Sequence, residues 1–237
     1  MIVLANLLKL MDMVTRIGTL RETSLHSSLK QLYARPGDLL EAKIGNSIID
    51  IVRGELLIEI QTGNFSALRS KLTSHLHARP IRIIYPIAVK KSVMRIAIDG
   101  DKISSRKSPK TGRIELLFGE LFRIAGYAKH PNFSLEVALI DEEVVLVNDG
   151  LGSWRRRGWS VEDRRMIRFI DRVVFEKPMD YLALLPGGLD EYFTSLDIAK
   201  GLHIRQSLAN KMIYSLRGME MIKQVGKSGR YNLYAKK

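Results

Sequence analysis

The chain has 237 residues, with 38 Lys and Arg against 25 Asp and Glu, a formal charge of +13 and no cysteine. Disulfides are therefore excluded, a structural zinc site is disfavoured, and no run of 18 uninterrupted apolar residues suggests a membrane span. A positive field attracts phosphate backbones without specifying a fold, and 46% apolar residues are enough to build the cores of two domains.

In chain order, Met1 to Leu10 is apolar but contains Lys9 and runs into Asp12 and Arg16 without a small-residue cleavage site. It reads as a helix packed on the domain rather than a signal peptide, and the lack of cysteine fits a cytoplasmic protein. A helix is expected from Leu25 to Tyr33 and a β-meander from about Leu39 to Gln61. Phe65, Leu68, Leu72 and Leu76 then mark the buried stripe of an amphipathic helix, with Arg69 and Lys71 on its flanks. Ile81 to Val89 is a β-rich run. Lys102 to Arg113 holds five basic residues, Arg106, Lys107 and Lys110 among them, and no acid; Pro109 and Gly112 mark it as a loop able to wrap a phosphate chain. A helix from Glu115 to Ile124 and strands at Phe133 to Ile140 and Glu143 to Val147 lead to a domain end at Gly150 to Ser153. The stretch Trp154-Arg155-Arg156-Arg157-Gly158-Trp159 combines guanidinium groups for phosphates with indoles for base stacking, Trp159 being expected in the core. Val161 to Asp171 reads as a bridging helix.

The residues that carry chemistry lie in the meander. Asp50 stands in Ile48-Ile49-Asp50-Ile51-Val52, and Glu59 and Gln61 in Leu56-Leu57-Ile58-Glu59-Ile60-Gln61. A charge held among aliphatic side chains is tolerated mainly when it is paired or coordinates a metal. Side chains alternate along a strand. A two-residue loop at Arg53-Gly54, or a four-residue loop from Arg53 to Leu56, therefore puts Asp50 on the face of Leu57, Glu59 and Gln61. In the two-residue case Asp50 and Glu59 are diagonal neighbours about 7 Å apart, within reach of one cation, and oxygen ligation with retained waters suits Mg²⁺, with Mn²⁺ as a substitute. The plain alternative is a solvated sheet face with ordinary alternation of polar residues.

This segment resembles the PD-(D/E)XK nuclease superfamily in its variant with Gln at the Lys position. The resemblance extends over about residues 20 to 145, because the order of helix, meander, helix and β-rich strand matches as well. It implies a restriction-endonuclease-like α/β/α sandwich with a mixed central sheet, Mg²⁺ held by Asp50 and Glu59, a water positioned by Gln61, and DNA as substrate. An amide supplies no positive charge, so Lys71, or Arg69, is expected to offset charge on the phosphate. Glu41, His26 or Glu22 are candidates for a further ligand or a supporting hydrogen bond.

From Pro178 the order resembles a winged helix-turn-helix domain of α+β class. Helices are expected at Met179 to Leu185, Thr194 to Lys200 (capped by Thr194 or Ser195) and Arg205 to Met219. Strands at Met221 to Val225 and Tyr231 to Tyr234 flank a wing from Gly226 to Arg230. The resemblance implies that Gln206, Asn210 and Lys211 contact a DNA groove and that Lys227 and Arg230 contact phosphate. The expected division is a nuclease-like domain at 1–150, a basic linker and bridging helix at 151–177, and a winged-helix domain at 178–237. The function implied is a metal-dependent DNA endonuclease, with a homodimer allowed; the alternative is a nuclease-like DNA-binding regulator without catalysis.

Overall fold

The computed structural model describes residues 23–152, 154 and 157–237. The expected helix at Met1 to Leu10, together with Glu22, Arg155 and Arg156, lies outside them. The elements are α1 (Ser24–Tyr33), β1 (Leu39–Ile44), β2 (Ser47–Arg53), β3 (Leu56–Ile60), α2 (Arg69–His75), β4 (Ile81–Ile96), β5 (Lys102–Lys107), α3 (Phe118–Leu121), β6 (Phe133–Asn148) and β7 (Trp159–Phe175). A C-terminal module follows with β8 (Tyr192–Phe193), α4 (Ser195–Gly201), α5 (Gln206–Gly218), β9 (Ile222–Ser228) and β10 (Tyr231–Lys236). Short 3-10 turns at Phe65–Leu68, Ile114–Leu117 and Pro178–Leu184 replace parts of the helices expected there, and a further one at Ala125–Lys129 follows where no element was expected.

A seven-stranded mixed sheet runs β1-β2-β3-β4-β6-β7, with β5 paired to β4. β3, β4 and β6 are parallel neighbours and the other pairings are antiparallel. The sheet carries a helix on each face. Leu25 and Leu29 of α1 pack with Ile51, Ile58, Ile60 and Ile84, while Leu68, Leu72 and Leu76 pack with Val52, Leu57, Ile81 and Ile83. Complete burial of an aliphatic side chain stabilises by about 1.5–3 kcal/mol, so these two sets fix both helices against the sheet.

Two expectations about the chain's middle are corrected. Val161 to Asp171 is not a helix but the body of β7, and the supposed linker at 151–177 is largely the last strand of the first sheet. The strand lies at the sheet edge, and its pairing with β6 shifts register at three places, so apolar and polar positions lose strict alternation and imitate helical spacing. β6 is likewise one strand rather than two, and Lys102 to Lys107 is strand, so only the second half of the expected basic loop is loop.

The C-terminal module has three strands in the order β8-β10-β9 beside α4 and α5. Thr194 caps α4, accepting from Leu196 and Asp197 amides while Asp197 returns a bond to the Thr194 amide. The apolar core is continuous from the first sheet into this module. Tyr181 stacks on Phe175 at 4.6 Å and meets Phe118 edge-on at 6.3 Å. Among the described residues, no helix is long and apolar enough to cross a membrane.

Candidate active site

β2 and β3 are joined by a two-residue turn at Gly54-Glu55, with Arg53 opposite Leu56, Val52 opposite Leu57 and Ile51 opposite Ile58. Gly54 takes a φ of +54°, the left-handed conformation such turns demand. The turn sits one residue later than Arg53-Gly54. One further step along this register brings Asp50 level with Glu59 instead of diagonal to it.

The ladder stops at that step, and the strands part. The carboxylate of Asp50 enters the fork, where Oδ2 accepts the Ile60 amide at 2.8 Å. Strict alternation also fails here. Ile49 packs with Val52 and Leu57 in one core, whereas Ile51 packs in the other, and Glu41 on β1 has a left-handed φ of +50°. This kink turns Asp50 towards α1, where His26 Nε2 lies 3.4 Å from Oδ2. Simple parity therefore does not describe how Asp50 reaches the site; a fork between two strands does.

Glu59 is buried, and Lys71 reaches it from α2. The Lys71 ammonium donates to Glu59 Oε1 at 2.8 Å, to Oε2 at 2.7 Å and to the Ile48 carbonyl at 2.6 Å, so all three of its protons are used. Burial and the neighbouring Asp50 charge push the Glu59 carboxyl up to about 7, the Lys71 ammonium pulling the other way. Burial acts on Asp50 in the same sense, but hydrogen bonds from His26 and the Ile60 amide, with the charges of His26 and Lys71, hold its carboxyl below the usual range. Two coupled carboxyls thus sit side by side with their proton affinities driven apart, which is the environment expected of groups with different duties.

Other expected site residues are elsewhere. Gln61 turns its amide nitrogen back onto its own loop, donating to the Gly63 carbonyl and, at 3.4 Å, to that of Asn64. Arg69 leaves on the opposite side of α2 and donates Nε and Nη2 to the Arg123 carbonyl at 3.0 and 2.7 Å, so the alternative to Lys71 is not at the fork. Glu41 pairs with Lys30 of α1 at 2.5 Å. Among the described residues, no three His, Asp or Glu side chains converge as a metal-ligand set. Two carboxylates with retained waters remain a donor set that suits Mg²⁺.

Sequence reading missed the supports that β7 supplies. Asp163 accepts the Ser24 amide at 3.0 Å and its hydroxyl at 2.6 Å, tying down the start of the helix that carries His26. Arg164 donates to the Thr62 carbonyl at 3.3 Å, next to Gln61, and pairs with the buried Glu142, which Lys91 also approaches at 3.3 Å. No local signal marks these residues once the segment is read as a helix.

The expected nucleic-acid contacts divide into two groups. Arg106 and Lys107 lie on the exposed β5, and Lys110 follows in the loop; Lys107 and Lys110 line a cleft of about 540 Å³ with Lys90 and Lys91. Arg157 is exposed. Trp159 is not a core residue: it is half-buried at the start of β7, under Arg95 at 4.9 Å. In the C-terminal module Asn210, Lys227 and Arg230 are exposed, Arg230 lying over Tyr231 at 5.1 Å, and Gln206 is half-exposed, donating to Ser195 at 3.4 Å. Lys211 is corrected. It donates to the Gly119 carbonyl at 3.2 Å and covers Phe122 at 4.5 Å, so it docks α5 on the first module instead of projecting from it.

Residues 23–176 match the family described as "Domain of unknown function (DUF8091)", and the match ends one residue after β7. The chain belongs to this family. The DUF8091 region therefore contains the whole seven-stranded sheet, the Asp50/Glu59 fork and α2, while the three-stranded module lies beyond it. An "Uncharacterized protein" of Treponema pallidum (strain Nichols) is 30% identical over 224 residues, covering 93% of this chain and 87% of that protein, so the similarity spans both modules. No solved structure matches.

Proposed function

We propose that this protein is a divalent-cation-dependent DNA endonuclease of the PD-(D/E)XK type, with a restriction-endonuclease-like first module and a C-terminal winged helix that engages DNA. The observation that carries the reading is the pairing of Asp50 and Glu59 at one strand fork, with Lys71 delivered to Glu59 by the following helix. The helix-bearing mixed sheet and the order of the small module support it.

In this reading Asp50 and Glu59 would hold Mg²⁺, which would supply Lewis-acid polarisation of a phosphate and a more acidic water. Asp50 is the carboxylate already ionised, fixed by the Ile60 amide and His26. Glu59, whose carboxyl is raised by burial and by the Asp50 charge, would have to be ionised to serve as a ligand, in place of part of its present contact with Lys71. Lys71, freed on that side, offsets negative charge developing on the phosphate. Lys107 and Lys110 near the sheet, with Asn210, Lys227 and Arg230 on the small module, hold the backbone of the duplex.

A second reading is a DNA-binding regulator without catalysis. It is favoured by the Gln61 amide being committed to its own loop and by all three Lys71 protons being used. Incubation of supercoiled plasmid with the full chain and Mn²⁺, beside Glu59→Ala, separates the two. The endonuclease nicks or linearises the plasmid and the variant does not; identical outcomes from both proteins reject catalysis at this site.

A further inference from the structure

A second cleft, of about 590 Å³, lies where the two modules meet. Its volume is within the range of about 300–1,000 Å³ typical of small-ligand sites. Arg69 of α2, Arg123 after α3 and Arg217 of α5 line it together with Phe122, Tyr127 and Tyr214, and no Asp or Glu does.

The side chains are arranged as a receptor for an oxyanion. Arg69 spends Nε and Nη2 on the Arg123 carbonyl, which fixes the orientation of its guanidinium. Arg123 lies over the Phe122 ring at 4.8 Å and donates to Glu120 at 3.2 Å, leaving its other nitrogens available. Arg217 makes no side-chain hydrogen bond or ion pair among the described residues. Three guanidinium groups, of which Arg123 is paired through Nε with Glu120 and Arg217 has no acidic partner among the described residues, suit the oxygens of a phosphate, which planar forks bind through paired N–H groups.

The aromatic side chains add a second requirement. Tyr214 is 62% exposed, three residues before Arg217 on the same helical face, and its ring meets Phe122 edge-on at 6.3 Å. Tyr127 is held in the lining by a hydrogen bond between its hydroxyl and Thr73 at 2.8 Å. An exposed ring beside an unpaired guanidinium contributes little to folding, but it is a stacking surface for a base. Close approach of the two modules sets the cleft's depth. Gly218 passes so near the 3-10 turn that an added Cβ would stand 3.1 Å from the Ala125 Cβ.

We infer that this cleft binds a nucleoside phosphate, the phosphate on Arg69, Arg123 and Arg217 and the base against Tyr214. The ligand is either a free nucleotide or an unpaired nucleotide of a nucleic-acid strand, since both present the same phosphate and base. The inference does not rest on the Asp50/Glu59 site. Lys71 points from α2 to that site, while Arg69 points away to the cleft.

Calorimetric titration of the full chain, in a chelator so that no strand is hydrolysed, tests this. The probes are a deoxynucleoside 5′-monophosphate, inorganic phosphate and a five-nucleotide single strand. The mononucleotide is expected to bind, with Arg217→Ala weakening it by about tenfold and Tyr214→Ala weakening it by a similar factor while leaving inorganic phosphate unaffected. Both positions are exposed, and unchanged circular dichroism establishes that the variants are folded. A single strand binding at least tenfold tighter than the mononucleotide, with the same sensitivity, assigns the site to nucleic acid; equal affinities assign it to free nucleotide. Absence of binding to both nucleotide probes, or affinities indifferent to both substitutions, overturns the inference.

Discussion

Replacing Lys71 by Met keeps the length of the side chain and removes the charge that faces Glu59. The Glu59 side chain is 5% exposed and that of Lys71 30%, so the pair is screened by solvent on the lysine side only. Glu59 has its carboxyl raised from 4.5 to about 7. The folded protein therefore holds a proton that the unfolded chain releases, and without metal its stability declines from about pH 4.5 to about pH 7 and is flat above. In Lys71→Met the carboxyl rises further and the decline continues past pH 7. At pH 6 both proteins carry a neutral Glu59, and the variant loses hydrogen bonds worth about 1 kcal/mol. Above pH 7 the gap grows by at most about 1.4 kcal/mol per pH unit, and only until the pH passes the variant's further-raised carboxyl; the partial exposure of Lys71 limits that rise and keeps the added gap to about 1 kcal/mol. Urea unfolding in a chelator should give a destabilisation of about 1 kcal/mol at pH 6 and about 2 kcal/mol at pH 8.5. Equal destabilisation at the two pH values would refute the reasoning, because Glu59 would then not be titrating against Lys71.

Cation binding should follow the same carboxyl: Mn²⁺ affinity is expected to rise by up to tenfold per pH unit below pH 7 and to level above it, with proton release visible by calorimetry in two buffers; Glu59→Gln should remove the slope. Well above pH 7, where the Glu59 carboxyl of the variant is also ionised, Lys71→Met should retain Mn²⁺ binding while losing plasmid cleavage, since the lysine is assigned to the phosphate rather than the metal; loss of both in parallel at that pH would contradict that assignment. Arg164→Met leaves Glu142, whose side chain is 1% exposed, with Lys91 alone, and should cost about 2–3 kcal/mol by urea unfolding; Glu142→Gln added to it should recover part of the loss. Tyr181→Phe removes a buried hydroxyl that has no hydrogen-bond partner among the described residues, so the melting temperature should stay level or rise, by up to about 1 kcal/mol of stability; a loss above that would reveal a partner for the hydroxyl.

How much of this was legible depends on which residues signal their own surroundings. Asp50 and Glu59 announce themselves because a carboxylate among isoleucines needs a reason, and Lys71 because a helix flank has only two sides. The kink at Glu41 and Asp50 was hidden, since alternation predicts faces only while the pleat is regular. β7 was misread for a related reason: as an edge strand with shifted pairing, its Arg, Asp and Ile residues follow no period of two. The loss was substantial, because Asp163 and Arg164 on that strand brace α1 and the loop after Gln61. Lys211 was misplaced because helical spacing reveals a solvent face only when nothing else docks there, and α5 packs against α3 and the 3-10 turn beyond it.

The most direct test is to diffuse Mn²⁺ into crystals of the full chain above pH 7 and collect anomalous scattering at the manganese edge. A peak within coordination distance of one oxygen of Asp50 and one of Glu59, absent from Glu59→Ala crystals, is the expected result. Manganese bound elsewhere, with Lys71 still donating to both Glu59 oxygens, would contradict a catalytic metal at the fork.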